Sequence, residues 1–389
     1  MEKRAFWNIR LIVALTGFFF LVLAMTLFIV FPVFFEPLAV SKSRIGMIMG
    51  IHSLMAILVR PWFGRLIDLR GRKIISLLGI ATLMLVIPGF HFIRDGGLFP
   101  LFLRAITGIG WGMAVTAVIT ICVDLAPSRR VAKSMGIVGA SSLAVAAIGP
   151  MLGEEIVNRW GFGALFNTSL IFLAVAFACM LATKEVVTHK TNDVQPSGKA
   201  NLKLLLLSMI PLVVLIVMHG AVRGAVVNFI VLFSLSVPLD RAGPFFLSYS
   251  AVALLTRLLF ADLSDRFGRK KVILPAVVIV SLNLLVISQI RSLGMLVLSG
   301  LIAGFGQGLI FPAISAYVID IIGQERKGLA IGIYLTLFDC GMGLGSAFFG
   351  WLSDLGGYRM MYILAAVFFM AAGLFFSWKA SPGENPQDA

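Results

Sequence analysis

The sequence predicts an all-α integral membrane protein, with twelve transmembrane helices in two pseudo-symmetric six-helix bundles. Three observations lead there. The first is composition. Of 389 residues, 59% are apolar and 13% charged, and the mean hydropathy is +1.01; a water-soluble domain carries about a quarter charged residues. The second is run length. Apolar stretches of about 18 residues or more recur, each long enough to cross roughly 30 Å of hydrocarbon as a helix. The third is an internal repeat. Arg60, Asp68, Gly71 and Arg72 return 197 positions later as Arg257, Asp265, Gly268 and Arg269. One residue out of phase, Gly108, Gly110, Gly112, Asp124, Arg130 and Gly136 return as Gly304, Gly306, Gly308, Asp320, Arg326 and Gly332. Repeats of this kind mark membrane transporters, whose solute site lies between halves that rock against each other.

The elements follow in order. The first run, 11–35, is about 25 residues and no small-residue cleavage site follows it, so it reads as a retained helix rather than a signal peptide. Spans at 43–62, 74–93, 98–123, 134–153 and 162–183 complete a first bundle, 1–183. A polar linker over 184–203 holds Thr191, Asn192, Asp193, Pro196 and Gly198. A second bundle, 204–380, holds spans at 204–235, 243–260, 272–290, 294–319, 328–353 and 358–378. The seventh run exceeds a perpendicular crossing and is expected to tilt, kink or extend past the bilayer. The tail 381–389 is polar and expected to be disordered. Elsewhere the connections are short, so consecutive helices are antiparallel neighbours. Glycines four apart (Gly108 and Gly112, Gly304 and Gly308, Gly341 and Gly345) suit close backbone packing where lipid supplies no hydrophobic drive.

The net charge is +14, which in a soluble chain would suggest nucleic acid. Here its distribution gives orientation. With loops assigned alternately, Lys42, Arg44, Arg94, Arg159, Arg241, Arg291 and Arg359 fall on one face, and nearly all other basic residues fall on the face of the termini. By the positive-inside rule both termini are cytoplasmic, and no nucleic-acid partner is expected. Cys122, Cys179 and Cys340 lie in apolar runs as small core residues, supporting neither a disulfide framework nor a metal site. No nucleotide-binding loop points to an ATP-driven pump, and no cofactor is implied. An intramembrane enzyme would need a clustered nucleophile or metal set, which the spans lack. A twofold repeat in one chain suits a carrier better than a channel built from symmetry-related subunits.

Charge is placed where it is expensive. In the hairpins after spans 2 and 8, glycine lets two helix ends meet, aspartate favours a helix N-terminus, and the Arg/Lys cluster faces anionic lipid heads. Asp124 and Asp320 end spans 4 and 10 on the same face, within reach of Arg72 and Arg269. Two such networks would latch the cytoplasmic side shut; alternatively they only fix topology. Arg104 lies about 9 Å inside span 4, where an arginine is costly unless paired or wetted. Arg223 in span 7 is comparable, or snorkels outward. His52 and His219, the latter one turn before Arg223, are packing residues or proton carriers. Asp339 sits about 17 Å along span 11, the carboxylate nearest the midplane, where it either exchanges a proton or holds a permanent partner. Gln307, Asn228 and Tyr249 are candidate cavity-lining hydrogen-bonders, while Glu36, Glu154 and Glu155 fall at external helix ends.

At these residues the chain resembles the major facilitator superfamily, whose loop between helices 2 and 3 carries Gly-x-x-x-Asp-Arg-x-Gly-Arg-Arg. Gly64, Asp68, Gly71, Arg72 and Lys73 match, with Leu69 where the family usually has Arg. The second copy keeps Asp265, Arg266, Gly268, Arg269 and Lys270 but has Ala261 for the leading glycine. Leu101, Arg104, Gly108 and Gly110 look like the family's Leu-x-x-Arg-x-x-x-Gly-x-Gly signature, whose arginine is implicated in proton coupling. Gly136, Gly149, Pro150 and Gly153 match four positions of a glycine-rich antiporter pattern, from which Val145 and Glu154 depart. The resemblance implies a proton-coupled secondary transporter of the inner membrane that acts as a monomer. It implies latches joining Asp68 to helix 11 and Asp265 to helix 5. Export of a small organic solute is the favoured reading, with uptake of an organic anion as the alternative. The arginines and histidines of the spans argue for an anionic or zwitterionic solute.

Overall fold

The computed structural model describes residues 8–125, 131–183, 209–237, 239, 241–260, 262–323 and 326–379. The expected linker 184–203 and tail 381–389 lie outside the described residues. The chain forms two compact units, Met1–Val40 with Ile51–Gln195, and Ser41–Gly50 with Pro196–Ala389. The first turns of the second helix therefore group with the second unit, although the sequence boundaries place all of 1–183 in the first.

In the first unit, α1 (Ile9–Thr26) continues as a 3-10 helix over Leu27–Phe35 that contains Pro32. It is followed by α2 (Lys42–Arg70), α3 (Arg72–Val86) with a 3-10 extension over Ile87–Phe92, and α4 (Leu98–Asp124). The run Val131–Ala182 is 52 residues long, about 78 Å at 1.5 Å per residue, more than two membrane thicknesses. It breaks at Gly161 into α5 (131–160) and α6 (162–182). The second unit holds α7 (Ile210–Ser236), α8 (Gly243–Leu259), α9 (Arg269–Ser288) and α10 (Leu293–Ile322). Its last run, Lys327–Lys379, breaks at Gly357 into α11 (327–356) and α12 (358–379). Nine helical runs among the described residues are long and apolar enough to span a membrane. Two of them hold two crossings each, and the shorter apolar α8 completes twelve. Large apolar side chains stay exposed, Leu85 at 81% and Leu258 at 71% among them, which water would penalise and lipid does not.

Packing inside each unit follows the repeat. The Cα of Gly108 on α4 abuts the His52 carbonyl of α2, and Gly112 abuts the Ala56 carbonyl. In the second unit Gly304 and Gly308 of α10 abut the Tyr249 and Ala253 carbonyls of α8. Those pairs are related by the same 196 and 197 offsets. An aromatic cluster of Phe28, Phe31, Phe34, Phe90, Phe162 and Phe166 ties α1, α3 and α6 together, with centroids 5.1–6.3 Å apart.

The repeated hairpin glycines have a backbone reason. Gly71 (φ 92, ψ 150) and Gly268 (φ 91, ψ 144) adopt nearly the same left-sided conformation just before α3 and α9. Gly161 (φ 76, ψ 178) and Gly357 (φ 76, ψ 175), 196 positions apart, repeat another such turn. The chain reverses there: Gly149 of α5 packs on Thr26, and Ser169 of α6 donates to the Ala24 carbonyl at 2.9 Å. Open space surrounds Gly161, so Gly161→Ala is expected to cost about 1–3 kcal/mol through backbone strain alone. Gly332, also in open space but helical, should tolerate alanine or gain stability. Thermal unfolding in detergent checks this, and equal effects at both sites would refute the strain argument.

Candidate functional site

The second unit holds a small, partly open pocket lined by Val222, Arg223 and Val226 of α7, Tyr249 of α8, Asn283 of α9, and Gln307 of α10. The Arg223 guanidinium lies over the Tyr249 ring, 4.5 Å from its centroid, a cation–π contact that places the charge without neutralising it. Among the described residues no carboxylate pairs with it. Beside the pocket His219, fully buried, meets Gln307 Oε1 through Nε2 at 2.9 Å. Because that oxygen only accepts, Nε2 carries the proton, Nδ1 carries the lone pair, and the Gln307 amide N–H groups are left for other partners. His219 also packs against the Phe338 and Phe369 rings. The cavity volume is about 20 Å³, room for one or two waters or one small ion, not for a whole organic solute.

Asn228 does not line this pocket. Its Nδ2 donates to Ser346 Oγ at 2.7 Å, cross-linking α7 to α11, because it lies beyond the pocket one turn and a half along α7 from Arg223.

In the first unit Arg104 is 4% exposed and its Nε finds no hydrogen-bond partner among the described residues. Its guanidinium lies 5.8 Å from the Phe28 centroid. The Thr107 hydroxyl donates to the Arg104 carbonyl at 2.8 Å and meets His52 Nδ1 at 3.2 Å. With its one proton committed, the hydroxyl accepts from His52, so Nδ1–H is the donor and Nε2 keeps the lone pair. Trp111 stands 6.5 Å from the His52 ring. Arg104, His52 and Thr107 thus form one cluster between α2 and α4.

At the hairpins Arg72 Nε lies 2.6 Å from Asp124 Oδ2, and Arg269 Nε lies 2.8 Å from Asp320 Oδ2. Each pair joins one helix N-terminus to the end of a neighbour within its own unit. Arg269 also holds Asp265 and Ser264, while Arg266 pairs with Asp262 at 2.5 Å on an exposed surface. Lys73 Nζ donates to the Leu181 carbonyl at 2.6 Å, closing the C-terminus of α6. Partly exposed pairs of this kind contribute at most about 1 kcal/mol each, so their effect is on orientation more than on stability. The surroundings of Gly64 and the side chain of Asp68, both expected in the first latch, lie outside what is described.

Asp339 on α11 is partly buried. Its neighbour Phe338 presents its carbonyl to Gly220 of α7, and the Tyr334 ring one turn before it packs edge-on against Phe311, 5.2 Å between centroids. Arg257 lies over Phe311, 5.2 Å from the centroid, with Nε buried and without a hydrogen-bond partner among the described residues.

The sequence profile of the Major Facilitator Superfamily matches residues 13–240 and 212–389. The chain belongs to the major facilitator superfamily. It is 23% identical over 351 residues to the staphylopine export protein of Staphylococcus aureus, covering 85% of this chain and 86% of that one. It is 22% identical over 390 residues to the multidrug resistance protein MdtG of Dickeya zeae, with 96% and 94% covered. Among solved structures the nucleoside transporter NupG superposes with a TM-score of 0.81 at 13% identity, covering 96% of this chain and all of that one. As a major facilitator protein the chain is a multi-pass secondary transporter of a small molecule, not an enzyme.

Two residues around these major facilitator clusters escaped the sequence reading. Asn283 is buried in α9 and its Oδ1 has no partner among the described residues. The signal was available in the repeat, since its first-half counterparts in either register, Val86 and Ile87, are apolar. Arg257 was visible as a repeated position with Arg60, but nothing in the linear order brings it over the Phe311 ring.

Proposed function

We propose that this transporter exports a small anionic or zwitterionic organic solute from the cytoplasm across the inner membrane in exchange for protons, as a monomer working by alternating access. The single observation that carries the solute class is Arg223, a guanidinium kept on an aromatic face at membrane depth with no carboxylate partner among the described residues. A charge held so is costly unless a counter-ion visits. The buried Arg104 adds a second positive centre. Export is supported by two relatives, a staphylopine export protein and a multidrug resistance protein, and by the antiporter-like glycines of α5. Asp339 is assigned the proton, and the Arg72–Asp124 and Arg269–Asp320 networks, with Asp68 and Asp265, are assigned the cytoplasmic latch.

Everted and right-side-out membrane vesicles test the reading. A thermal-shift screen of the purified protein supplies candidate solutes, and each is offered to both vesicle types under an imposed pH gradient. Accumulation in everted vesicles with an acidic interior, with dissipation of the gradient on adding solute, is expected. Arg223→Ala should weaken an anionic solute at least tenfold more than a neutral analogue. Accumulation only in right-side-out vesicles would replace export by proton-coupled uptake of an organic anion, which the same arginines favour. Non-saturable flux would mean a channel.

A further inference from the structure

We propose that the pocket inside the second unit is an anion subsite, sized for one carboxylate or halide, in which Asn283 and Gln307 complete the binding set around Arg223. The proposal deepens the anionic-solute reading and rests on it for its physiological ligand.

Three features of the pocket point to a ligand. The first is the unneutralised charge. Arg223 reaches the pocket from α7 and is held against Tyr249; the ring takes one face of the guanidinium and leaves its N–H edge to be satisfied. The second is Asn283. It is 3% exposed, it lines the same pocket, and its Oδ1 is buried without a partner. A buried amide left unsatisfied costs about 1–3 kcal/mol, a cost that the folded state bears at this position. The amide N–H groups of Asn283 are the donors it can offer a bound anion. The third is Gln307, whose oxygen is committed to His219 at 2.9 Å, leaving donors only.

The fold does not require this polarity. The positions equivalent to Asn283 in the first unit are Val86 or Ile87, and the position equivalent to Gln307 is Trp111. The same helix arrangement therefore packs with apolar side chains there. Donors from three helices (a guanidinium and two amides) converge on a volume of about 20 Å³, and the walls are otherwise Val222, Val226, Val280, Leu284 and Ala303. That set recognises a compact anion through charge-assisted hydrogen bonds, which are stronger than neutral ones. A water would satisfy Asn283 but leave the guanidinium charge without a counter-ion.

The experiment uses the full-length protein purified in detergent in a sulfate buffer, sulfate serving as the reference anion. Thermal stability is titrated with sodium chloride, formate or acetate at constant ionic strength. Saturable stabilisation of the wild type is expected, with the half-saturating concentration raised at least tenfold in Asn283→Leu and in Gln307→Leu. Because each variant is compared with and without anion, a general loss of stability does not mimic the result. Should the leucine variants not fold, Asn283→Ser carries the same expectation. Equal half-saturation in wild type and variants, or no anion effect in the wild type, would overturn the proposal and identify the occupant as water. If chloride saturates the site while transport is the same in chloride and sulfate, the ligand is a free halide. If instead the solute found in the vesicle assay competes with formate, the ligand is the solute's own carboxylate. Binding can fail here while proton-driven export persists, and export can fail while binding persists, so the two readings fall separately.

Discussion

Gly220→Ala is expected to disrupt the second unit outright, with loss of folded protein at ordinary expression temperature. On α7, a methyl added at Gly220 would land on the Phe338 carbonyl oxygen of α11, and Gly224 meets the Met342 carbonyl. From the other side, Gly341 meets the Val217 carbonyl and Gly345 the Cα of Ala221. The two backbones therefore interlock through four glycines, and the obstructing atoms are main chain, which cannot rotate away as a side-chain end can. Overpacking a core ordinarily costs about 1–3 kcal/mol. Here the only relief is to move two helices apart, which would also break the contacts His219 makes with Phe338 and the bond from Asn228 to Ser346. Gly220→Ala and Gly341→Ala should each lower the yield of monodisperse protein severely. Gly332→Ala on the same α11, where open space surrounds the Cα, should leave yield intact. Normal yield and thermal stability for Gly220→Ala would show that the α7–α11 crossing is looser than its carbonyl contacts imply.

Asp339→Asn is the substitution expected to remove proton-driven accumulation while sparing the fold. Asparagine matches aspartate in shape, and Asp339 is partly rather than fully buried, so packing beside Phe338 and Tyr334 survives. What is lost is a group able to gain and lose a charge. One charge moved through 100 mV is worth about 2.3 kcal/mol, equivalent to about a 50-fold concentration ratio. The variant should therefore fall from a gradient of that order to no net accumulation, while still binding solute and exchanging it between compartments. Vesicle accumulation and solute exchange measured side by side check this. Full accumulation by Asp339→Asn would exclude Asp339 as the proton carrier and direct attention to His52, His219 or the Glu154–Glu155 pair, of which Glu155 is already held by Arg159.

Much of the architecture was legible in linear order because its causes are linear. The bilayer requires about 20 apolar residues per helix whatever the neighbours do, so the crossings could be counted without coordinates. The hairpin repeat was legible because a left-sided φ at Gly71 and Gly268 demands a residue without Cβ, and that demand is written at one position. The reach of Arg72 to Asp124 and of Arg269 to Asp320 could be anticipated, since both partners sit at helix ends on one face. The turns at Gly161 and Gly357 are equally local, yet they were hidden among the chain's 39 glycines.

Tertiary structure decided the rest, because it depends on which faces of nonadjacent helices meet. Asn228 and Asn283 are the same residue type in equally apolar spans. One is satisfied by Ser346 across α7 and α11, and the other is left unsatisfied in a pocket beside Arg223. Rotating either helix by one residue would exchange such roles, and nothing along the chain records that rotation. The grouping of Ser41–Gly50 with the second unit is likewise set in three dimensions, by Gly46 and Gly50 against α11 and by Asp354, which accepts from the Lys42 and Ser43 amides at 2.8 Å. Length, periodicity and backbone exceptions are properties of a segment and are readable from it. The partner that satisfies a buried polar group is a property of two segments, and packing alone selects it.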